Sequence, residues 1–158
     1  MSPPSTQHVD ALWTALAEEM ASIEAITFHE ASSGFPSAWA IAFEGSDILL
    51  VDALCEPDRL VFSMSLGDVS PDQRLEMYET VLRVNAWLAM QTEAVGGVVL
   101  SGQQIMLKGH LRVAGLDLDA LRQTVLDIQG AAHAWRYFLQ TRHMPEENVV
   151  LDQWLERV

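Results

Sequence analysis

The stretch from Pro71 to Val113 constrains this chain most: a helix that is apolar around too much of its circumference runs into Gly96-Gly97 and then a short strand hairpin. At about 100° per residue, Leu75, Tyr78, Leu82, Asn85, Ala86 and Ala89 form one stripe, and Met77, Val81, Val84 and Leu88 form a second beside it. Together they cover roughly 200°, about twice the stripe of an ordinary surface helix. Glu76, Glu79, Thr80 and Arg83 occupy the remaining wet sector. One core is not expected to use the whole apolar arc, so a second copy of the chain is the simplest cover for the rest. A helix sandwiched within its own domain is the competing reading.

The other elements follow from periodicity. Val9, Leu12, Trp13, Leu16, Met20 and Ile23 recur at three and four, which predicts a one-sided helix after Thr6 with Asp10, Glu18 and Glu19 on its wet side. After the Ser32-Ser33-Gly34-Phe35-Pro36 break come three strands with short connections, an antiparallel meander. In the first, Trp39, Ile41 and Phe43 alternate with Ala38, Ala40 and Ala42; the second, Ile48 to Ala53, is apolar on both faces. In the third, Leu60, Phe62, Met64 and Leu66 oppose Val61, Ser63 and Ser65. Ser70 caps the Pro71 helix. Val98 to Leu100 and Ile105 to Leu107 then flank a turn, and Ile105, Leu107, Leu111 and Val113 alternate with Met106, Lys108, His110 and Arg112.

Asp117 or Asp119 starts a long helix with Leu118, Leu121, Val125, Ile128, Ala132, Trp135 and Leu139 on one stripe. The expected class is therefore α+β in the order α-β-β-β-α-β-β-α, a twisted antiparallel sheet with helices packed on it. Residues 1–158 read as a single domain, with 1–5 and 144–158 as candidate mobile extensions. In the second of these, Val150, Leu151, Trp154 and Leu155 are at helical spacing.

Charge and chemistry narrow the function classes. Twenty-two acidic residues against 9 basic ones give a net charge of −13. The arginines (Arg59, Arg74, Arg83, Arg112, Arg122, Arg136, Arg142 and Arg157) are scattered, and Lys108 is the one lysine, so nucleic acid and anionic membrane surfaces are poor partners. No segment approaches the ~20 apolar residues of a membrane span, and the start carries no signal-peptide pattern. With Cys55 alone there is no internal disulfide, and a cytoplasmic location is expected. Cys55 precedes Glu56 and Asp58, which would raise a thiol pKa rather than activate it. The five histidines lack metal-ligand spacing, and Gly96-Gly97 lacks the rest of a phosphate loop. The expectation is no enzyme, no metal and no cofactor.

The element order, the segment Val81-Leu82-Arg83-Val84-Asn85, the following hairpin and the terminal helix with Trp135 resemble the Tir-chaperone (CesT-like) family of type III secretion chaperones. Within that family the chain is most similar to the broad-range effector-export chaperones of plant-pathogen secretion systems. The resemblance implies a cytoplasmic homodimer that binds an extended N-terminal segment of secreted effector proteins and promotes their export. A contact with the export ATPase is a further candidate partnership.

Carried onto this sequence, the dimer interface would use Tyr78, Val81, Leu82, Asn85 and Leu88, with Trp87 at its rim and help from Val98 and Leu100. The effector-binding surface would use Leu12, Trp13, Leu16, Trp39, Ile41, Phe43, Phe62 and Met64, each of which also reads as plain core. A regulatory module that binds a folded partner, or a small-ligand domain, are the alternative functions.

Overall fold

The first helix is shorter than its apolar spacing implies, and an additional strand takes its last residue. In the computed structural model, which describes residues 6–30, 32, 36–55, 58–88 and 97–141, α1 spans Thr6–Glu19 and β1 spans Ile23–His29. The helix closes when Met20 N donates to Leu16 O, and Ile23 N donates back to Met20 O. Ile26, Thr27 and Phe28 are residue types that favour extended backbone, and here they pair with β2 (Ala38–Phe43), Ile26 opposite Ile41 and Phe28 opposite Trp39. A register shift between Ile23 and Ala25 lets both Ile23 and Ile26 face the core.

The remaining elements are β3 (Ile48–Cys55), β4 (Asp58–Asp68), a single 3-10 turn at Pro71–Gln73, α2 (Arg74–Leu88), β5 (Gly97–Ser101), β6 (Gln104–Arg112) and α3 (Leu118–Thr141). The α+β class is as the sequence implies; the element order is corrected by one strand, since β1 precedes the three expected ones. All pairs are antiparallel, and the six strands lie in the order β1-β2-β3-β4-β6-β5, with β1 and β5 at the two edges. The expected extensions, 1–5 and 144–158, lie outside the described residues.

One face of the sheet carries the large side chains. Trp39, Ile41, Phe43, Leu49, Val51, Leu60, Phe62, Met64, Ile105 and Leu107 all point to it and are buried. Trp13 and Leu16 of α1, and Leu121, Val125, Ile128, Ala132 and Trp135 of α3, close over that layer. Trp13 meets Phe62 edge-on, with centroids 6.5 Å apart. Each fully buried aromatic of this kind is worth about 1.5–3 kcal/mol of transfer free energy.

Polar contacts fix the helices on the sheet. The Trp39 indole N–H donates to Asp10 Oδ1 on α1 at 3.1 Å. Arg136 of α3 donates to Asp47 Oδ2 and to the Ser65 carbonyl, both at 2.7 Å, and Arg122 pairs with Glu19 of α1. Asp117 is the α3 cap, its Oδ1 accepting from Ala120 N at 2.8 Å. Ser70 stands at the cap position before the Pro71–Gln73 turn but makes no side-chain cap bond.

Candidate binding surfaces

The sheet has two edges, and they are finished differently. At β5 the side chain of Asn85 reaches from α2 to Val98: Nδ2 donates to the Val98 carbonyl at 2.6 Å, and Oδ1 accepts from Val98 N at 2.8 Å. The amide thus occupies both outward main-chain groups of that residue, as a neighbouring strand would. Gly97 is required beside it. Its φ is +121°, and a Cβ there would lie 2.8 Å from Asn85 Oδ1.

At the opposite edge, no strand lies beyond β1 among the described elements. A groove of about 350 Å³ runs between β1 and α1, lined by Thr14, Ala17, Glu18, Ile23, Glu24, Ala25 and Ile26. Phe28, 40% exposed, continues the apolar line along the edge and lies 5.2 Å from the Trp39 ring. An extended polypeptide laid here can pair its backbone with β1 and drop alternate side chains into the groove.

The residues expected from the sequence to bind an effector are buried in this chain, apart from Leu12. Trp13, Leu16, Trp39, Ile41, Phe43, Phe62 and Met64 are all at most 2% exposed and form the core between the helices and the sheet; Leu12 is half-buried against it. They are therefore not an open surface in this chain. Periodicity marks a strand's bulky face without telling whether a helix covers it, and here α1 and α3 do. The β1 residues that do border the groove were hidden in the sequence, where Ile23 fits the helical spacing of the preceding residues. The Ile26-Thr27-Phe28 run was the available signal.

The α2 helix divides its apolar arc. Met77 and Val81 are buried toward the chain's own core, whereas Leu75 is 74% exposed, Leu82 68% and Tyr78 38%. Arg74 lies over the Tyr78 ring, 5.6 Å from its centroid. Leu75, Tyr78 and Leu82, at spacings of three and four, make one uncovered stripe. Of the interface residues expected from the sequence, Tyr78 and Leu82 lie on this stripe; Val81 and Val98 are internal, Leu100 packs against the core, and Asn85 is engaged with Val98. The side chains of Trp87 and Leu88 lie outside the described residues, as does that of Cys55.

Among the described residues no group of histidine, cysteine and carboxylate side chains is placed to hold a metal ion, and no helix is long and apolar enough to cross a membrane. Among the described residues the molecule presents an edge with a groove, an uncovered helix stripe and an edge occupied at Val98. They are suited to binding polypeptide.

Known proteins share this architecture. A chain of the crystallised ExsC–ExsE complex superposes with a TM-score of 0.68 at 14% identity, covering 85% of this chain and 96% of that one. A chain from the crystal structure of the Yersinia pestis type III secretion chaperone SycH, in complex with a stable fragment of YscM2, does so with a TM-score of 0.56 at 16% identity, covering 78% and 95%. At these identities the likeness is one of fold. No curated protein matches the sequence. The model of the Tir chaperone protein (CesT) family matches residues 41–136, from inside β2 to the last third of α3, and the chain belongs to that family.

Proposed function

We propose that this protein is a cytoplasmic, homodimeric chaperone that holds extended N-terminal segments of type III secreted effector proteins and promotes their export. Family membership carries the reading. The grooved β1 edge supports it, because it offers main-chain hydrogen bonds to any sequence and pockets for alternate apolar side chains. A segment already disordered before binding needs no unfolding step, which suits a surface that provides backbone pairing rather than a shaped cavity. The uncovered stripe Leu75, Tyr78 and Leu82 supports self-association, two copies burying it against each other.

No catalytic role is proposed. The export ATPase is a candidate downstream partner of the loaded dimer.

The test is affinity capture of the full-length protein from its own host, followed by brief proteolysis of the complexes and mass spectrometry of the protected fragments. Protected N-terminal segments of secreted proteins are expected. Intact folded partners would replace the chaperone reading with a regulatory one, and the absence of any captured protein would overturn both.

A further inference from the structure

The face of the sheet turned away from α1 and α3 holds an unexpected concentration of positive charge. On β4 the residues alternating with buried Leu60 and Phe62 are Arg59, Val61 and Ser63, and on β6 those alternating with Leu107 are Lys108, His110 and Arg112. The register places Arg59 directly opposite Arg112, Val61 opposite His110 and Ser63 opposite Lys108. Lys108 Nζ donates to the Ser63 hydroxyl. Neither arginine has an ion pair among the described residues, although Asp52 lies opposite Val61 on β3 and Asp58 begins β4. Arg59 Nε is buried and has no hydrogen-bond acceptor.

Like charges facing each other across two strands destabilise the pair. A chain with 22 acidic side chains has carboxylates to spare for neutralising such a pair, yet none of the described ones does so. Among the described residues the arrangement is unfavourable as it stands, and it becomes favourable once a carboxylate lies between the two guanidinium groups. Beyond the basic end, the same face becomes apolar, with Leu50 46% exposed, Ile48 53% and Ala40 and Ala42 beside them.

We propose that this face takes a second stretch of the bound client, an extended segment whose carboxylate side chains sit between Arg59 and Arg112 while its apolar side chains lie toward Leu50 and Ile48. The inference rests on the chaperone reading above and adds the chemical class of segment selected. Charge complementarity identifies the occupant: net charge repels acidic polypeptides from this protein as a whole, and among the described residues this is where basic groups face each other across two strands. The last turns of α3 lie at the other end of β4. Arg136, near the end of α3, is bonded to the Ser65 carbonyl, six residues along β4 from Arg59, about 20 Å at ~3.3 Å per residue.

The experiment titrates the full-length protein into two labelled unstructured peptides, one alternating leucine, serine and glutamate and the other with glutamine at every glutamate. The glutamate peptide is expected to bind about tenfold tighter, with the preference lost in R59Q/R112Q and weakened by salt. The same double variant should melt a few degrees higher without peptide, about the shift that relief of a like-charge cross-strand pair produces. Equal affinity for the two peptides, binding of neither, or a preference that survives in R59Q/R112Q overturns the inference. So does a change of oligomeric mass in R59Q/R112Q, which would make this face a contact between copies. A rise in glutamate-peptide affinity in E146Q/E147Q/D152N/E156Q would likewise show the chain's own acidic end seated there. Capture of secreted proteins by the wild type is read separately, so failure here leaves the chaperone reading standing.

Discussion

Asn85 holds Val98, on the outer edge of β5, through both of its main-chain polar atoms, at 2.6 and 2.8 Å. A strand edge with free N–H and C=O groups is a template for pairing with any extended chain. One edge is thus occupied at Val98 by a side-chain amide, and the other is bordered by a groove.

Replacing Asn85 by alanine should lower unfolding free energy by about 1–3 kcal/mol, because Val98 is left with an unsatisfied donor and acceptor. Gly97→Ala should cost about as much through its positive φ and the clash with Asn85 Oδ1. The two losses should not add, since the clash disappears when Asn85 is shortened. Urea denaturation of the two single variants and the double variant measures the coupling, and additive losses would show that the close approach carries no energy.

Leu82→Asp should yield a folded monomer. The side chain is 68% exposed, so the chain's own core is untouched and the change falls on the stripe proposed to meet another copy. Val81→Asp, one residue earlier but buried, should fail to fold, at the several kcal/mol expected for an unpaired buried charge. Sedimentation of Leu82→Asp decides it, and an unchanged dimer would remove this stripe from the interface.

Capture of clients should respond to the groove and not to the core. Ala17→Trp fills the space between α1 and β1 and should cut capture strongly while changing stability by less than about 1 kcal/mol, in the range of partly exposed substitutions. Phe62→Ala should instead cost about 3–5 kcal/mol through the cavity it leaves. A Phe62→Ala protein that melts like the wild type yet captures nothing would return the binding site to the core layer.

Asp10→Ala should leave the buried Trp39 N–H without its acceptor and lower stability by about 1–3 kcal/mol. The change also loosens α1 on β2, so hydrogen exchange at Thr14 and Ala17 should rise while β4 and β6 stay protected. Uniform exchange across the sheet would mean that α1 is held by its apolar face alone.

Much of the architecture was legible in the residue pattern because burial imposes a period. The α3 stripe, the alternation in β2, β4 and β6, and the described part of the α2 arc, Leu75, Met77, Tyr78, Val81 and Leu82, each appear in the structure where the spacing places them. The strand β1 was not legible, since Ile23 satisfies a helical spacing and a strand period at once, and only pairing with β2 selects the second.

By itself the sequence determined which residues are apolar and at what period, and with that the elements other than β1, the α+β class and the surplus apolar face of α2. The tertiary structure alone decided which side of each element meets the core. That choice put Trp39, Phe62 and Met64 inside, left Leu75 and Leu82 outside, brought Asn85 onto Val98, and set Arg59 against Arg112. The physical reason is that periodicity is a local property of the chain, whereas coverage of a face and the partner of a side chain depend on strands and helices far apart in sequence.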